Sequence, residues 1–591
     1  MSVDLILRGG TIVDVVAKRC YGGDILIKDG LIQDVTHTSS TIAAAETLDV
    51  TGQYVIPGFI DPHLHIESSL LSPLEFTHTA VSHGTTAVFV DPHEIANVAG
   101  KDGISLFLQQ AEAAPIDIFI GVPSCVPATS FEDTGAELSL ADIKELLPHP
   151  RVYGLAEMMN FPGIIHDLGE ARAKVDSAYN LGKVVDGHAP GVSGRDLALY
   201  VTNGRDDGTV RIMSDHESRT GEEALEKRQA GMTVAIRYGS ATKDLDVILP
   251  YLVERGECLE GFMLCSDDLD AEELREHGHV DRIVRRARDI LVQHGNIDNE
   301  QATIQAIAMA TLHPGRYFSR FFRHHGYPEM GAIVLGSVAN LAVLDSLETL
   351  ECSTVIRRGE VVVANGIVER REVPGDYGGL LRSVTVKEPL SASDFIVPYN
   401  GPEREVAARV IGAEDGSLTT QIRIIDLPVS DGAIKADLAR DVIKIAVIER
   451  HHNTGMHAVG FVSGLGMQRG AVASTVGHDS HNLIVVGVDE HAMAQAANHV
   501  IEIGGGMAVA VGNEIKSLPL PICGLMSTGG VDAVVADYRS LQAAASRTGT
   551  TSKSIFLLLS FLALPVIPHL KITNRGLVDV DAFEPVPLLV D

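Results

Sequence analysis

The chain of 591 residues has only six cysteines: Cys20, Cys125, Cys258, Cys265, Cys352 and Cys523. They are scattered, with no CxxC pair. That spacing excludes a cysteine metal site and a dense disulfide framework, and it suits a reducing cytoplasm, the expected location. Basic residues are scarce: 47 Lys and Arg stand against 78 Asp and Glu, a formal charge of −31. Phosphate recognition needs a basic surface, so nucleic acid is excluded as an expected partner. Long apolar runs are missing too. The most apolar segment, Ser554–Leu570, is broken by Pro565 and Pro568. Its unbroken part is shorter than the ~18 residues of a membrane span, so no membrane partner is expected and the segment reads as a buried core element. The N-terminal MSVDLILRGG has no basic region followed by an apolar one, so no signal peptide is expected. There is no low-complexity tract, and 45% hydrophobic with 21% charged residues is a globular composition.

What is present falls into three regions. Short strands with turns fill the first fifty residues, in LILRGGTIVDV, DILIKDGLIQDV and TLDVTGQYVI, and Gly-Gly and Asp-Gly pairs read as their hairpin turns. The same texture returns at about 331–366, so residues 1–56 and 331–372 are expected to form one small β domain around the middle section. Beyond Pro374 comes a separate α/β domain, 375–591, with a boundary expected near REVPGDYGG. Its strand-like stretches include TTQIRIIDLPV and HNLIVVGV. DVIKIAVIERHH and DEHAMAQAANHVIEIG read as helical.

The middle section, 57–330, has a rhythm. Eight apolar runs end in polar residues: GFIDPHLH, TTAVFVDPHE, IDIFIGVPSC, VYGLAEMM, KVVDGHAP, RIMSDHES, TVAIRYGS and GFMLCSDD. They recur every ~30 residues, with helical patterns such as TGEEALEKRQAG between them. Eight strand-then-helix units predict a (β/α)8 barrel of the TIM type, whose active site lies at the C-terminal strand ends. Those ends carry His63 and His65, Glu157, His188, His216 and Asp267. Four imidazoles, a carboxylate able to bridge and a terminal aspartate suit two divalent cations ~3.5–4 Å apart, which acidify water without a Ser or Cys nucleophile. Asp267 would accept the attacking water's proton. An extended strand puts His63, His65 and Glu67 on one face.

These residues carry a resemblance. HxH on strand one, one His on each of strands five and six and Asp on strand eight are similar to the amidohydrolase superfamily, with Glu157 where many binuclear members use a carboxylated lysine. PGFIDPHLHIESS, DPHEIANV, PSCVPAT, AEMMNFPG, DGHAPG, SDHE and HGHVDRIVRRA resemble the bacterial adenine deaminases. So do IAVIERHHNTG, ASTVGHDSHNLIVVG, LPLPICGLMS and LSFLALPVIP, which extends the likeness over nearly the whole chain. The resemblance implies adenine as substrate, hypoxanthine and ammonia as products, and manganese or iron as the metal. The N/O ligand set also admits zinc. Departures are small: Ser266 before the aspartate pair, and His313. A homo-oligomer is expected.

Adding water at C6 of adenine requires a proton at N1, hence a general acid. Glu67 is the candidate, or else it orients a metal ligand. Asp268 would hold a ring N–H, as in related deaminases, or cap a helix. Arg237 and Ser240 could contact the purine, though Arg237 could equally form an ion pair with Glu157 or Glu67. Asp91, His93 and Glu94 could line the pocket or hold a further metal, with a loop hydrogen-bond network the favoured reading. ERHH (Glu449–His452) and HDSH (His478–His481) are read as interface or pocket-covering residues, and the face of KIAVIERHH with Lys444 and Ile448 as ordinary helical core. IGGGM is a tight turn. Two other function classes stand beside a deaminase: another amide-cutting hydrolase of the superfamily, and a non-catalytic scaffold.

Overall fold

The middle of the chain closes into a ring of eight parallel strands. They are β1 (Phe59–His65), β2 (Thr85–Val90), β3 (Asp117–Val122), β4 (Val152–Met158), β5 (Val184–Gly187), β6 (Ser214–Asp215), β7 (Thr233–Arg237) and β8 (Phe262–Cys265). The computed structural model describes residues 2–37, 42–370 and 377–590. β1 to β5 pair in sequence, as do β6 to β8. Met213 N donates to Val185 O at 2.8 Å across the β5–β6 seam. Asp267 and Asp268, just past β8, pair in parallel with Leu64 and His65 and close the ring. Valine, isoleucine and phenylalanine dominate β2 and β3, which are buried throughout, as parallel strands covered on both faces must be. The helix Gly221–Gln229 starts where the sequence says, with Thr220 Oγ1 accepting from Glu223 N at 3.2 Å.

The strands on either side of the barrel segment form one sheet. Tyr54–Pro57 pairs antiparallel with Leu341–Leu344, which joins the N-terminal strands to those of 352–368. Asp29-Gly30 makes the expected hairpin turn, but Gly9-Gly10 does not. It lies inside one long strand, Ser2–Asp14, and marks a register shift there. An extra residue in a ladder wants the freedom of glycine, and Gly9 sits at φ +77°.

The third region is richer in strand than expected. A ten-stranded sheet spans 397–519, and a three-stranded one follows at 570–586. KIAVIERHH is no helix: Val442–Ile448 is a fully buried central strand, β9. Five of its seven residues are Val or Ile, whose branched Cβ packs on a pleated surface and crowds a helix. Lys444 and Ile448 therefore share a strand face, not a helical one. DEHAMAQAANHVIEIG is helical as expected, over Glu490–Glu502. The expected boundary around Pro374 lies outside the described residues.

The apolar segment at 554–570 forms a short helix, Ile555–Leu562, buried as expected. It belongs to one apolar cluster that runs from Leu64, Ile95 and Phe107 of the barrel to Ile443, Ile484 and Leu562 of the third region. Apolar burial contributes ~25 cal/mol per Å², so this contact is a shared core rather than a loose domain junction. Among the described residues no helix is long and apolar enough to cross a membrane.

Candidate active site

The strand-end residues converge. His63 stacks on His216 with ring centroids 3.8 Å apart and meets His65 edge-on at 5.0 Å. Glu157 Oε2 lies 2.9 Å from His216 Nε2, 3.8 Å from His63 Nε2 and 3.9 Å from His188 Nδ1. Asp267 Oδ1 lies 3.5 Å from His63 Nε2 and 3.4 Å from His65 Nε2. All six expected ligands are thus within reach of one another.

Local structure explains the aim of each side chain. Pro62 has no N–H to give the ladder, and β1 shifts register against β2 between Asp61 and Leu64. Asp61 beneath them accepts from Ser266 Oγ at 2.6 Å and pins β1 to the end of β8. At the end of β5 a Cβ on Gly187 would lie 2.2 Å from Ser214 O. Only glycine lets β5 approach β6 that closely, and the approach brings His188 within 5.4 Å of His216, ring to ring. His188 N donates to Tyr200 Oη, which donates to Met158 O, so the ends of β4 and β5 are tied together. His65 Nδ1 bonds Asp91 O at 2.9 Å, which leaves Nε2 facing the centre.

Burial opposes ionisation here, and the groups answer by pairing. Burial works against a charged Glu157, yet His188 and His216 hold it well below the usual carboxylate range. Asp267 is likewise buried, and the imidazoles of His63 and His65 beside it hold it well below that range. His216 goes the other way: burial disfavours its charged form, but Glu157 lifts it to about 9.

His63 Nε2 and His188 Nδ1 are buried with no hydrogen-bond partner. An orphaned buried nitrogen costs ~1–3 kcal/mol unless something occupies it. Four imidazoles and two carboxylates, all facing inward, are a donor set for divalent transition ions. The residues fit a metal centre.

Beside the centre lies a cavity of about 190 Å³. Its polar end is Ser68, Glu94, Ser240, Asp268 and His478, and its apolar end is Val534, Tyr538 and Phe556 of the third region. That is below the ~300–1,000 Å³ of drug-sized pockets and suits a small ligand.

Residues 54–369, the barrel with strands of the flanking sheet, match the model of the amidohydrolase family, and 417–584 match that of the adenine deaminase C-terminal domain. A protein from Desulfatibacillum aliphaticivorans named adenine deaminase is 41% identical, over 99% of this chain and 97% of its own length. Another adenine deaminase, from Methanothrix thermoacetophila, is 39% identical over 100% of this chain and 98% of its own. The chain belongs to the adenine deaminase family of amidohydrolases. A solved adenosine deaminase from Xanthomonas campestris with bound zinc is far more distant, 15% identical with a TM-score of 0.48 over 63% of this chain and 95% of that one.

Of the four residues expected to act on the substrate, two sit differently from the expectation and two line the cavity. Glu67 is not on β1, because the strand ends at His65 and Ile66–Ser69 is a 3-10 turn. Its Oε1 accepts from Ile95 N at 3.2 Å, and burial together with Glu94 pushes its carboxyl up to about 8. Glu94, not Glu67, lines the cavity. Arg237 is paired neither with Glu157 nor with Glu67. It is held by Glu217, by Asp244 at 2.8 Å and by Asp267 at 3.2 Å, so it backs a ligand instead of facing the cavity. Asp268 does face the cavity, its Oδ1 accepting from Ser68 Oγ at 2.6 Å. Ser240 lines it too, with its hydroxyl turned to Asp270 N at 3.0 Å.

Sequence reasoning undervalued β2. His93 Nδ1 comes within 3.5 Å of Glu157 Oε1, and His65, Asp91 and His93 form a further ligand-like group. The signal was a repeat: Asp-Pro-His ends both β1 and β2, at 61–63 and 91–93. Glu217, which braces Arg237 and lies 3.8 Å from His188 Nε2, had no signal beyond its place after a ligand.

Proposed function

We propose that the chain is a metal-dependent aminohydrolase that converts adenine and water into hypoxanthine and ammonia. The observation that carries the reading is a His/Glu/Asp donor set beside a small cavity with carboxyls at its polar end. The substrate itself rests on the names of the full-length relatives. The ions would be held by His63, His65, Glu157, His188, His216 and Asp267. Divalent ions bound there supply acidified water and an electrophilic pull on the reacting carbon. Manganese is the proposed ion, with iron and zinc compatible with the same N/O donors. Six unpaired cysteines fit a cytoplasmic setting.

The chain's own groups move the protons. Asp267 stays ionised beside Arg237 and accepts the proton of the water that adds to C6. Glu94 and Glu67 are two buried carboxyls whose affinity for a proton is raised, by burial and Glu94 at Glu67, and by burial and Asp268 at Glu94. Glu94 stands at the cavity wall and delivers a proton to N1, with Glu67 behind it as the reserve. Asp268, oriented by Ser68, accepts a ring N–H. As the tetrahedral carbon collapses, the C6–N bond breaks, the amino group leaves as ammonia with the proton that Asp267 took up, and the C6 hydroxyl gives its proton back to Glu94 as it becomes the carbonyl of hypoxanthine.

The test is direct. Metal-loaded protein is given adenine, and ammonia and hypoxanthine are measured together in equal amounts. Protein that holds its metal but releases no ammonia from adenine would overturn the reading and return the site to the amide-cutting hydrolases.

A further inference from the structure

Two side chains at the barrel mouth come from outside the barrel. Residues 475–482 link the strands Ala471–Ser474 and Leu483–Gly487 of the third region. The link is anchored twice. Arg450, fully buried at the end of β9, donates to His481 O from below. Asn482 Nδ2 donates to Asp133 O at 2.8 Å, on the loop that follows β3. So anchored, the link presents His478 and Asp479 to the barrel.

They meet the first two residues of the helix α1 (His93–Ala111). Asp479, 4% exposed, has Oδ1 at 3.7 Å from His93 Nε2. The other ring nitrogen of His93 lies 3.5 Å from Glu157 Oε1 and 3.4 Å from Asp91 Oδ2. His478 Nδ1 lies 3.3 Å from Glu94 Oε1, and its ring stacks on Phe561 at 4.9 Å. A histidine held between two carboxylates is fixed in orientation, since imidazole χ2 is otherwise a broad torsion.

We propose that Asp479 and His478 of the third region are positioning residues of the deamination site, Asp479 fixing the His93 ring against Glu157 and His478 fixing Glu94 at the cavity wall. The proposal rests on the deaminase reading above and assigns the third region a part in it. The barrel alone would hold metal and lack an ordered His93–Glu94 pair. The site is complete only when the third region is docked on the barrel.

The experiment uses the full-length holoenzyme. Asp479→Asn should lower kcat ~10–100-fold, the usual cost of losing a group that orients a residue beside a metal. KM and metal content should stay close to those of the parent. Asp479→Glu should recover part of the lost kcat. His478→Gln should act mainly on KM, because Glu94 lines the cavity. Ser480→Ala, in the same link but touching neither His93 nor Glu94, should keep its activity within about twofold. Equal losses in Ser480→Ala and Asp479→Asn would overturn the proposal, since the link would then matter only as packing. Loss of one metal equivalent in His478→Gln would also overturn it, by making His93, Glu94 and His478 a cation site. Crystals of Asp479→Asn give a readout independent of any substrate: the His93 ring should turn away from Glu157, and an unmoved ring would sink the proposal even if the variant were slow.

Discussion

The barrel mouth and the sheet of the third region both bury charge, and they do it in opposite ways. At the mouth, carboxylates face imidazoles across a cavity, and buried atoms such as His63 Nε2, His188 Nδ1 and Glu67 Oε2 have no hydrogen-bond partner. In the third region each buried cation is capped by backbone carbonyls. Lys444 Nζ donates to Phe395 O at 2.8 Å, Arg450 to Cys523 O at 3.0 Å, and Lys571 Nζ to Phe561 O at 2.9 Å and Leu418 O at 3.0 Å. Satisfied buried charge holds loops and strands in place. Unsatisfied buried charge that shares a cavity is poised for something the protein chain does not supply. The contrast separates structural from chemical charge more sharply than burial does, because both sets are buried.

The largest expected effect falls on the chemical side. Asp267→Asn removes a proposed ligand and the proposed proton acceptor together. Loss of a base alone costs ~10²–10⁴ in rate, so kcat for adenine should fall by at least that. A variant within tenfold of the parent would show that the proton goes elsewhere, to Glu157 or to His93.

Next come the ligands. Purified protein should hold about two divalent ions per chain. His63→Ala, His188→Ala and Glu157→Gln should lower metal content and turnover in step, read by elemental analysis and ammonia release on the same sample. Glu157→Gln is the most discriminating, since it keeps shape and removes only charge. If it kept full occupancy and rate, the carboxylate between the imidazoles would not be the bridge, and the line between the two kinds of buried charge would blur.

That these six residues would meet was legible in the sequence because strand ends of a barrel are marked twice: by the end of an apolar run and by the polar residue that follows it. The period of the runs exposed the barrel, and the fold then said which polar residues meet. What stayed hidden has physical reasons. Glu67 was misaimed because alternation assumes an unbroken strand, and β1 gives way to a 3-10 turn at Ile66. β9 passed for a helix because six apolar residues broken only by Lys444 carry no clear period, and only their branched Cβ atoms distinguish the two states. His478 and Asp479 were read as interface or pocket-covering residues and lie there, but their partners His93 and Glu94 stayed hidden because a contact between residues ~385 apart in the chain leaves no trace in local pattern. Arg237 could be placed near the site but not aimed, since its three acidic partners come from three separate segments.

The smallest effect tests the structural side, at Lys571. It is fully buried on the strand Leu570–Thr573, and burial lowers its ammonium from the ordinary 10.5 to about 7. Between those two values the unfolded chain binds more protons than the folded one, so stability rises with pH through that window. Below about 7 the fold carries the full penalty of a buried charge, and above the ordinary lysine value the penalty is gone. Lys571→Met removes the titration and leaves two carbonyls without a donor, each worth ~1–3 kcal/mol. Melting temperatures of parent and variant, compared from pH 7 to pH 10, should therefore move in the parent's favour as pH rises, while metal content and the rate per bound metal stay level. A gap independent of pH would mean that Lys571 is charged in the fold at all these pH values. If turnover fell with the substitution while metal stayed bound, Lys571 would belong with the barrel mouth, and buried charge capped by carbonyls could no longer be taken as structural.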